Sequence, residues 1–247
     1  MATIHFILQG KGGVGKSFVA SMLIQFFKTK TEPELVFCID TDPVNHTLAG
    51  YKEFNATVFD IMGGDEVDPR SFDRLMEKIF ELPENAQMIV DNGASSFIPL
   101  GSYLAENNAL SLLREQGHQV LLHTVITGGQ AIADTLQGLS SLITSFDNFP
   151  VVVWLNHYFG EISINGKRFE TFKIYKDNED KIFAVIEIPQ KKQSTFGKDI
   201  EALLAEKISF KAAIHSPRPV MERQRIKKFW SDAHDAIEQA NLTSLPN

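Results

Sequence analysis

Short apolar runs alternate with amphipathic stretches along most of the chain, and several of the runs are apolar at both odd and even positions. Strands that are apolar on both faces are typical of a parallel sheet that is covered by helices on each side. We therefore predict buried strands at residues 4–8, 35–39, 88–90, 120–126, 151–155 and 183–188.

The stretches between these runs show helical periodicity. After the first run, apolar residues recur at the i, i+3, i+4 and i+7 positions of one helix face, namely Val19, Met22, Leu23 and Phe26. Segments 130–145 and 197–206 show the same pattern. This alternation of strands and helices predicts an α/β fold with a doubly wound, mostly parallel sheet. No linker-like stretch interrupts the pattern, so we expect one domain over residues 1–247.

Two local signals refine the later part of the chain. Ser216 followed by Pro217 predicts an N-cap and a first-turn proline, opening a last helix that reaches about residue 240. Asn165-Gly166 predicts a tight turn inside the long connection 157–182, which the pattern does not otherwise place.

Composition narrows the class of protein. With 43% apolar and 22% charged residues, the chain is typical of a globular protein and not of a disordered or fibrous one. Its single cysteine, Cys38, fits a reducing compartment. The sequence has no apolar run of about 18 residues, so no membrane insertion is predicted. A glycine loop follows the short first run directly, which does not fit a signal peptide, and we expect a cytoplasmic protein.

The glycine loop carries the clearest chemistry. The segment Gly10-Lys11-Gly12-Gly13-Val14-Gly15-Lys16-Ser17 matches the phosphate-loop pattern, between a predicted strand and a predicted helix. Backbone N–H groups at a helix N-terminus bind phosphate, Lys16 reaches the β- and γ-phosphates, and the Ser17 hydroxyl binds Mg²⁺. The predicted nucleotide-binding residues here are Gly10, Gly12, Gly13, Val14, Gly15, Lys16, Ser17 and Phe18.

A dinucleotide site is the competing interpretation of the same loop. Gly10, Gly12 and Gly15 also fit G-x-G-x-x-G, and Asp40 ends the next strand, where a ribose partner would lie. An NAD site has no use for a lysine and a serine after the last glycine. It also does not predict Asp91, which closes the run 88–90 as a Walker B aspartate that orients a Mg²⁺-bound water.

Lys11, directly after the first glycine, gives the loop the deviant Walker A form. In this respect the chain resembles the ParA/MinD family of ATPases, which have the P-loop NTPase fold of the SIMIBI class. The resemblance implies an ATPase that forms a homodimer around Mg-ATP, with Lys11 contacting the phosphates held by the other subunit. A solvated loop lysine is the alternative for Lys11.

The same resemblance implies roles for residues outside the loop. Asp42 would hold the attacking water, and Asp40 would lie on the magnesium side together with Ser17 and Asp91. Asn156 would contact the adenine ring, and the loop at Pro189 would lie over the base. An Asp-Pro turn and a capping asparagine are the alternatives for Asp42 and Asn156. The guanine motif Asn-Lys-x-Asp is absent after residue 155, which favours ATP over GTP.

Further stretches resemble the TraL proteins of conjugative plasmids: 8–10, 38–45 (CIDTDPVN), 91–97 (DNGASSF), 123–131 (HTVITGGQA) and 152–156 (VVWLN). This implies a protein partner in DNA-transfer or plasmid-maintenance machinery. The chain departs from partition ATPases after both aspartate strands, where it has Val44-Asn45 and Asn92-Gly93-Ala94. A nucleotide-dependent switch with negligible turnover remains an alternative.

Arg218, Arg223, Arg225, Lys227 and Lys228 form a basic cluster near the start of the last helix. One interpretation is contact with DNA phosphates, as in partition ATPases. The favoured interpretation is a helix packed on the sheet with a solvated basic face. An apolar stripe supports it, comprising Ile226, Phe229 or Trp230, Ala233, Ile237 and Ala240. A membrane-targeting helix fits poorly, because residues 241–247 are polar.

Overall fold

A seven-stranded parallel sheet forms the centre of the computed structural model, which describes residues 1–243. Its strands are β1 (Thr3–Ile7), β2 (Val36–Asp40), β3 (Thr57–Val58), β4 (Gln87–Asp91), β5 (Gln119–Thr127), β6 (Val151–Asn156) and β9 (Ile182–Glu187). They are ordered β3-β2-β4-β1-β5-β6-β9. Each of the six predicted strands is confirmed, with its ends displaced by no more than one residue. The exposed two-residue β3 was not predicted, because it carries no apolar run.

Helices cover both faces of this sheet, as predicted. One face is covered by α2 (Ser71–Phe80), α3 (Phe97–Glu106), α4 (Ala109–Glu115) and α5 (Ile132–Ser145). The other is covered by α1 (Lys16–Lys30), α7 (Lys198–Glu206), α8 (Phe210–His215) and α9 (Val220–Gln239). Side chains of each strand alternate between the two cores: Ile4 and Phe6 of β1 belong to the first, and Ile7 to the second.

A buried polar chain crosses the second core. Trp154 Nε1 donates to His123 Nδ1 (3.0 Å), so the ring proton of His123 lies on Nε2, which donates to His5 Nδ1 (3.0 Å). The remaining ring proton of His5 then points at Gln87 Oε1 (3.0 Å). The four strands β6, β5, β1 and β4 are thereby linked by side chains. Burial lowers the pKa of His5 to about 4 and that of His123 well below its usual value, so both rings are neutral.

The predicted start of the last helix is wrong. The helix α9 begins at Val220 after Pro219, and the Ser216 hydroxyl instead donates to Ala213 O at the end of α8. The predicted apolar stripe is confirmed, since Ile226, Phe229, Ala233 and Ile237 are buried. Residues 244–247, part of the polar terminus considered above, lie outside the described residues.

The connection 157–182 forms a small antiparallel hairpin and a short helix. Strands β7 (Ser163–Ile164) and β8 (Lys167–Arg168) are joined by the predicted tight turn, in which Asn165 and Gly166 have φ of 52° and 71°. Helix α6 (Lys173–Lys176) follows. Phe169 and Phe172 anchor the segment in the first core.

Candidate functional site

The sequence-predicted residues meet at the carboxyl ends of the central strands. Strand β1 lies between β4 and β5. The strands β2, β3 and β4 lie on one side of β1, and β5, β6 and β9 lie on the other. Such a switch point opens a crevice in a doubly wound sheet. In the strand register, Asp40 lies beside Asp91, and Asp91 lies beside Ile7 of β1. The glycine loop after β1 therefore lies next to both carboxylates.

The loop has the backbone that phosphate binding requires. Gly13 and Gly15 have φ of 75° and 103°, in the left-handed region that favours glycine. Helix α1 begins at Lys16 with no side-chain cap. The N–H groups of its first turn are thus available to an anion, and the helix dipole favours one there.

Lys16 is buried beside the carboxylates. Its ammonium donates to Lys11 O (3.1 Å), a carbonyl within the same loop. Burial lowers the pKa of Lys16, while the charges of Asp91 and Asp42 act in the opposite direction. A desolvated ammonium at a helix N-terminus is well suited to bind phosphate oxygens.

Asp91 supplies the strongest sign of a cation site. Both carboxylate oxygens are buried, and neither has a hydrogen-bond partner within residues 1–243. The pKa of Asp91 is raised to about 7, chiefly by burial. The charge of Asp40 also raises this pKa, while the Ser17 hydroxyl and the Lys16 ammonium act to lower it. A buried carboxylate without partners is costly unless a cation compensates it. The residues present therefore fit Mg²⁺ between Ser17 and Asp91.

Asp40 has a different environment. Its Oδ1 accepts from Asp42 N (3.1 Å), and its Oδ2 accepts from Leu48 N (3.0 Å) and Ala49 N (3.1 Å). Both oxygens thus hold the loop that follows β2, and direct binding of a metal is not favoured. The outer-sphere role implied by the resemblance stays a prediction.

Asp42 lies at the start of that loop and meets the loop after β4. Its Oδ1 accepts from Val44 N (2.9 Å) and Asn45 N (3.1 Å), which is the local geometry of an Asp-Pro turn. A Cβ on Gly93 would lie 2.8 Å from Asp42 Cγ, so the glycine permits a close approach. Within residues 1–243, Oδ2 of Asp42 accepts no hydrogen bond and is available for a water.

A buried polar cluster, missed by sequence reasoning, joins the two carboxylate loops. Asn92 Oδ1 accepts from Thr41 Oγ1 (3.0 Å) and from Ser96 Oγ (2.8 Å), and Thr41 N donates to Asp91 O (3.0 Å). All three side chains are buried. The only sequence signal was that these residues lie in the stretches 38–45 and 91–97.

Lys11 points away from the loop and forms an ion pair on helix α5. Its Nζ lies 2.8 Å from Asp134 Oδ2, with the two side chains 43% and 56% exposed. A half-exposed pair of this kind contributes at most about 1 kcal/mol. Lys11 can therefore exchange Asp134 for another anion at little cost. Asp134 was not among the predicted residues.

A pocket of about 460 Å³ adjoins the loop on its other side. It brings together predicted residues from three segments, namely Gly13, Gly15, Phe18, Asn156 and Pro189. The amide of Asn156 donates to Val14 O (2.8 Å) and accepts from Tyr158 N (3.1 Å). Asn156 is thus the capping asparagine considered above and also braces the phosphate loop. The aromatic and aliphatic lining is typical of a pocket for a small molecule, and the contact with an adenine ring stays a prediction.

The basic cluster on α9 is largely neutralised. Arg218 pairs with Glu206 and Glu222, Arg225 with Asp199, and Lys228 with Asp232. In the described part of the chain, Arg223 and Lys227 form no ion pair. This arrangement supports the interpretation of α9 as a packed helix with a solvated basic face.

Two further kinds of arrangement are absent from residues 1–243. No three His, Cys, Asp or Glu side chains come together as a metal-binding group there. A magnesium ion in this part of the chain would therefore take some of its oxygen ligands from phosphate or water. No helix in the same range has the length and apolar character needed to span a bilayer.

Comparison with known proteins gives two relatives of closely similar length. The chain is 45% identical over 229 residues to a protein TraL of Escherichia coli, covering 92% of this chain and 93% of the relative. A second E. coli protein TraL is 45% identical over 242 residues, covering 97% and 99%. No family model matches the chain.

The fold is similar to that of MinD. The MinD cell division protein of Aquifex aeolicus superposes with a TM-score of 0.53 over 99% of both chains, at 14% identity. A chain of the MinC:MinD complex of the same organism gives 0.54 at 16% identity, covering 99% and 98%. At such identities the likeness shows a common fold, which confirms the predicted P-loop NTPase architecture.

Proposed function

The chain belongs to the TraL family, and we propose that it is an ATPase of the deviant Walker A kind. It binds Mg-ATP at the glycine loop, forms a homodimer around the nucleotide, and uses hydrolysis to control the binding of a protein partner. The proposed setting is the cytoplasm, in conjugal DNA transfer or plasmid maintenance, as the TraL resemblance implies. Of these elements of the proposal, the geometry of the site bears most directly on the ATPase chemistry with Mg-ATP.

The observation that carries the proposal is the buried, unpartnered carboxylate of Asp91 beside a buried Lys16. A bare phosphate loop without this aspartate would suit many anions. A buried carboxylate beside a hydroxyl and an ammonium, with no hydrogen-bond donor at close range within residues 1–243, suits a dication held together with phosphate. The proposed ligand is therefore a magnesium nucleotide rather than a dinucleotide such as NAD.

In the proposed reaction, each of the site residues has a separate role. Bound Mg²⁺ would neutralise developing charge on the phosphate oxygens, with Ser17 and Asp91 as its protein ligands. Lys16 and the N–H groups of the α1 N-terminus hold the phosphates in place. Asp42 accepts a hydrogen bond from the attacking water through its unused Oδ2. Such catalysis rests on positioning and electrostatics, with no covalent intermediate.

Exposed apolar side chains on this face support self-association. Val44, two residues after Asp42, is 72% exposed, and Ile98, near the start of α3, is 73% exposed. Ile98 lines the same groove as Lys11. Large apolar side chains beside a ligand site are typical of a surface that becomes covered. A second subunit would cover both and would bring Lys11 to the partner's phosphates.

Calorimetry with ATP, ADP, GTP and NAD, with Mg²⁺ and with EDTA, tests ligand choice, and phosphate release tests turnover. We expect tight Mg-ATP binding that Lys16→Ala abolishes. Lys30→Ala, at the far end of α1, is the matched control and should bind normally. Tighter binding of NAD than of ATP would overturn the proposal. Nucleotide binding without phosphate release would instead favour the nucleotide-dependent switch.

A further inference from the structure

Gln9, the residue between β1 and the phosphate loop, has a fully buried side chain that joins three parts of the fold. Its Nε2 donates to Val125 O (3.1 Å) and Thr124 Oγ1 (3.2 Å) of β5, and to Thr135 O (3.1 Å) of α5. Its Oε1 accepts from Lys11 N (3.3 Å). One amide therefore ties the backbone of Lys11 to β5 and α5.

The orientation of this amide is determined by its partners. Two of the groups around Nε2 are carbonyl oxygens, which only accept, and Lys11 N–H only donates. A glutamine satisfies both requirements, whereas a glutamate of the same shape would place an oxygen against two carbonyls. An apolar side chain would leave the Lys11 N–H without its acceptor.

Helix α5 is shaped to receive the amide. Gly138 faces Gln9 closely enough that a Cβ at this position would overlap Oε1. Asp134, one turn earlier on the same helix, holds the Lys11 side chain. Helix α5 thus holds Lys11 at two points. Gln9 connects the helix to the backbone of Lys11, and Asp134 binds the ammonium of Lys11.

We infer that Gln9, with the space provided by Gly138, is a positioning residue that sets Lys11 for its action in hydrolysis. This inference rests on the proposed function and deepens it. The side chain of Gln9 is fully buried and does not line the pocket beside the phosphate loop. It acts through Lys11, whose displacement by about 1 Å would be enough to cost roughly 100-fold in rate.

The test compares four proteins in phosphate release: wild type, Gln9→Glu, Lys11→Ala and the double variant. We expect Gln9→Glu to lower kcat by about 100-fold while its affinity for ADP stays within about threefold of wild type. The double variant should be no slower than Lys11→Ala, because Gln9 acts through Lys11. Non-additivity of this kind is the mark of residues that work as a unit.

Gly138→Ala gives an independent test that leaves Gln9 in place. Its methyl group should displace the amide and lower kcat by at least about tenfold. Ser140→Ala, two residues further along α5 and outside the groove that Lys11 lines, is the control for a small change in this helix. We expect Ser140→Ala to retain wild-type turnover.

Three results in the kinetic, binding and melting measurements would overturn the positioning role. These are normal kcat in Gln9→Glu, a double variant slowed by the product of the two single effects, or loss of ADP affinity together with melting temperature. Failure of the proposed ATPase would be visible in the wild-type protein itself, as no phosphate release. The same variants are then compared by ATP-driven dimer mass, where Gln9→Glu should match Lys11→Ala and a normal dimer would contradict the role.

Discussion

Asp91, a metal ligand in the proposed site, is expected to lower the stability of the nucleotide-free protein. Its carboxylate is buried without partners, and its pKa is raised to about 7 chiefly by burial. Near neutral pH the carboxylate is therefore partly ionised, and Ser17 and Lys16 offset the cost of its burial only in part. In the proposed site a bound magnesium nucleotide would supply the rest of the compensation, so ligand affinity and stability would be coupled at this residue.

Asp91→Asn should stabilise the nucleotide-free protein and abolish turnover. Removing this incompletely compensated charge should raise the melting temperature by about 3 to 6 °C, while hydrolysis falls by at least about 100-fold. Asp40→Asn is the control: its oxygens accept three backbone N–H groups, which one amide oxygen cannot serve, so melting should fall. Thermal melting without nucleotide decides it, and a lower melting temperature for Asp91→Asn would contradict this account.

The neutral rings of His5 and His123 make the protein less stable as the pH falls, whereas a carboxyl group with a raised pKa has the opposite effect. The pKa of His5 in the folded protein, about 4, lies below its ordinary value of 6.5. The unfolded chain therefore binds more protons between these values, and the free energy of unfolding decreases as pH falls below about 6.5. Raised carboxyl pKa values such as that of Asp91 work against this trend, so a difference between variants is needed.

His5→Gln should lower the free energy of unfolding at pH 7.5 and flatten its decrease on acidification. Between pH 6.5 and 5, wild type should lose about 2 kcal/mol more than the variant. Urea unfolding at several pH values gives the comparison. His46→Gln, at an exposed loop position, should follow wild type. Equal slopes for wild type and His5→Gln would show that the buried chain does not control acid stability.

Some of the site residues belong to a short sequence motif and could be predicted, whereas others belong to no motif. Lys16, Ser17 and Asp91 were predictable, because a phosphate loop and a strand-ending aspartate have fixed spacing. Gln9 and Asn92 were not, since each is a single polar residue that binds a distant segment, α5 and β5 for Gln9 and the loop after β2 for Asn92. Asp134 was hidden for the same reason: its partner Lys11 precedes it by more than a hundred positions.

At the scale of elements, the hydrophobic pattern predicted the strands and helices whose position depends on the burial of apolar side chains. The six long strands and helices α1, α5 and α7 carry continuous apolar patterns and were predicted. The start of α9 was not, because Ser216 and Pro217 fit the N-cap rules while the structure uses Ser216 to end α8. Local capping preferences are weak beside the packing of Ile226 and Phe229 in the core.

Helix α9 should bind DNA weakly or not at all. Of the five cations in the basic cluster, three are ion-paired, and within residues 1–243 only Arg223 and Lys227 form no ion pair. Two phosphate contacts would give a logarithmic salt slope of about −2 at most. Fluorescence anisotropy with a duplex, in Mg-ATP and about 150 mM salt, should show no binding. Tight binding with a steep slope, lost in Arg223→Ala with Lys227→Ala, would restore the DNA interpretation.

At the scale of the whole molecule, the sheet order could not be predicted. The sequence indicated parallel strands between helices but not that β1 lies between β4 and β5, which places the loop beside Asp91. That order depends on contacts between distant segments, and the connection 157–182 depends on its anchoring by Phe169 and Phe172. The fold class was therefore predictable while the strand neighbours were not.

The homodimer proposal gives Lys11 and Asp42 opposite effects on one assembly equilibrium. Lys11→Ala should keep the ATP affinity of the monomer but lose ATP-driven dimerisation, because the ammonium that would reach the partner's phosphates is gone. Its hydrolysis should fall by about 100- to 1,000-fold, the usual loss for one preorganised charged group. Asp42→Ala should be equally slow, yet it should accumulate as a dimer, because it closes around ATP without orienting the water.

Light scattering of both variants in saturating Mg-ATP separates them by mass. Asp134→Asn is the matched control, since it removes the anion that holds Lys11 in the single subunit and leaves the lysine intact. The lost pair is half-exposed and contributes at most about 1 kcal/mol, so this variant should dimerise at least as readily as wild type. A solvated Lys11 predicts normal dimers for Lys11→Ala. That outcome, or a monomeric Asp42→Ala with ATP bound, would exclude the action of Lys11 across the interface.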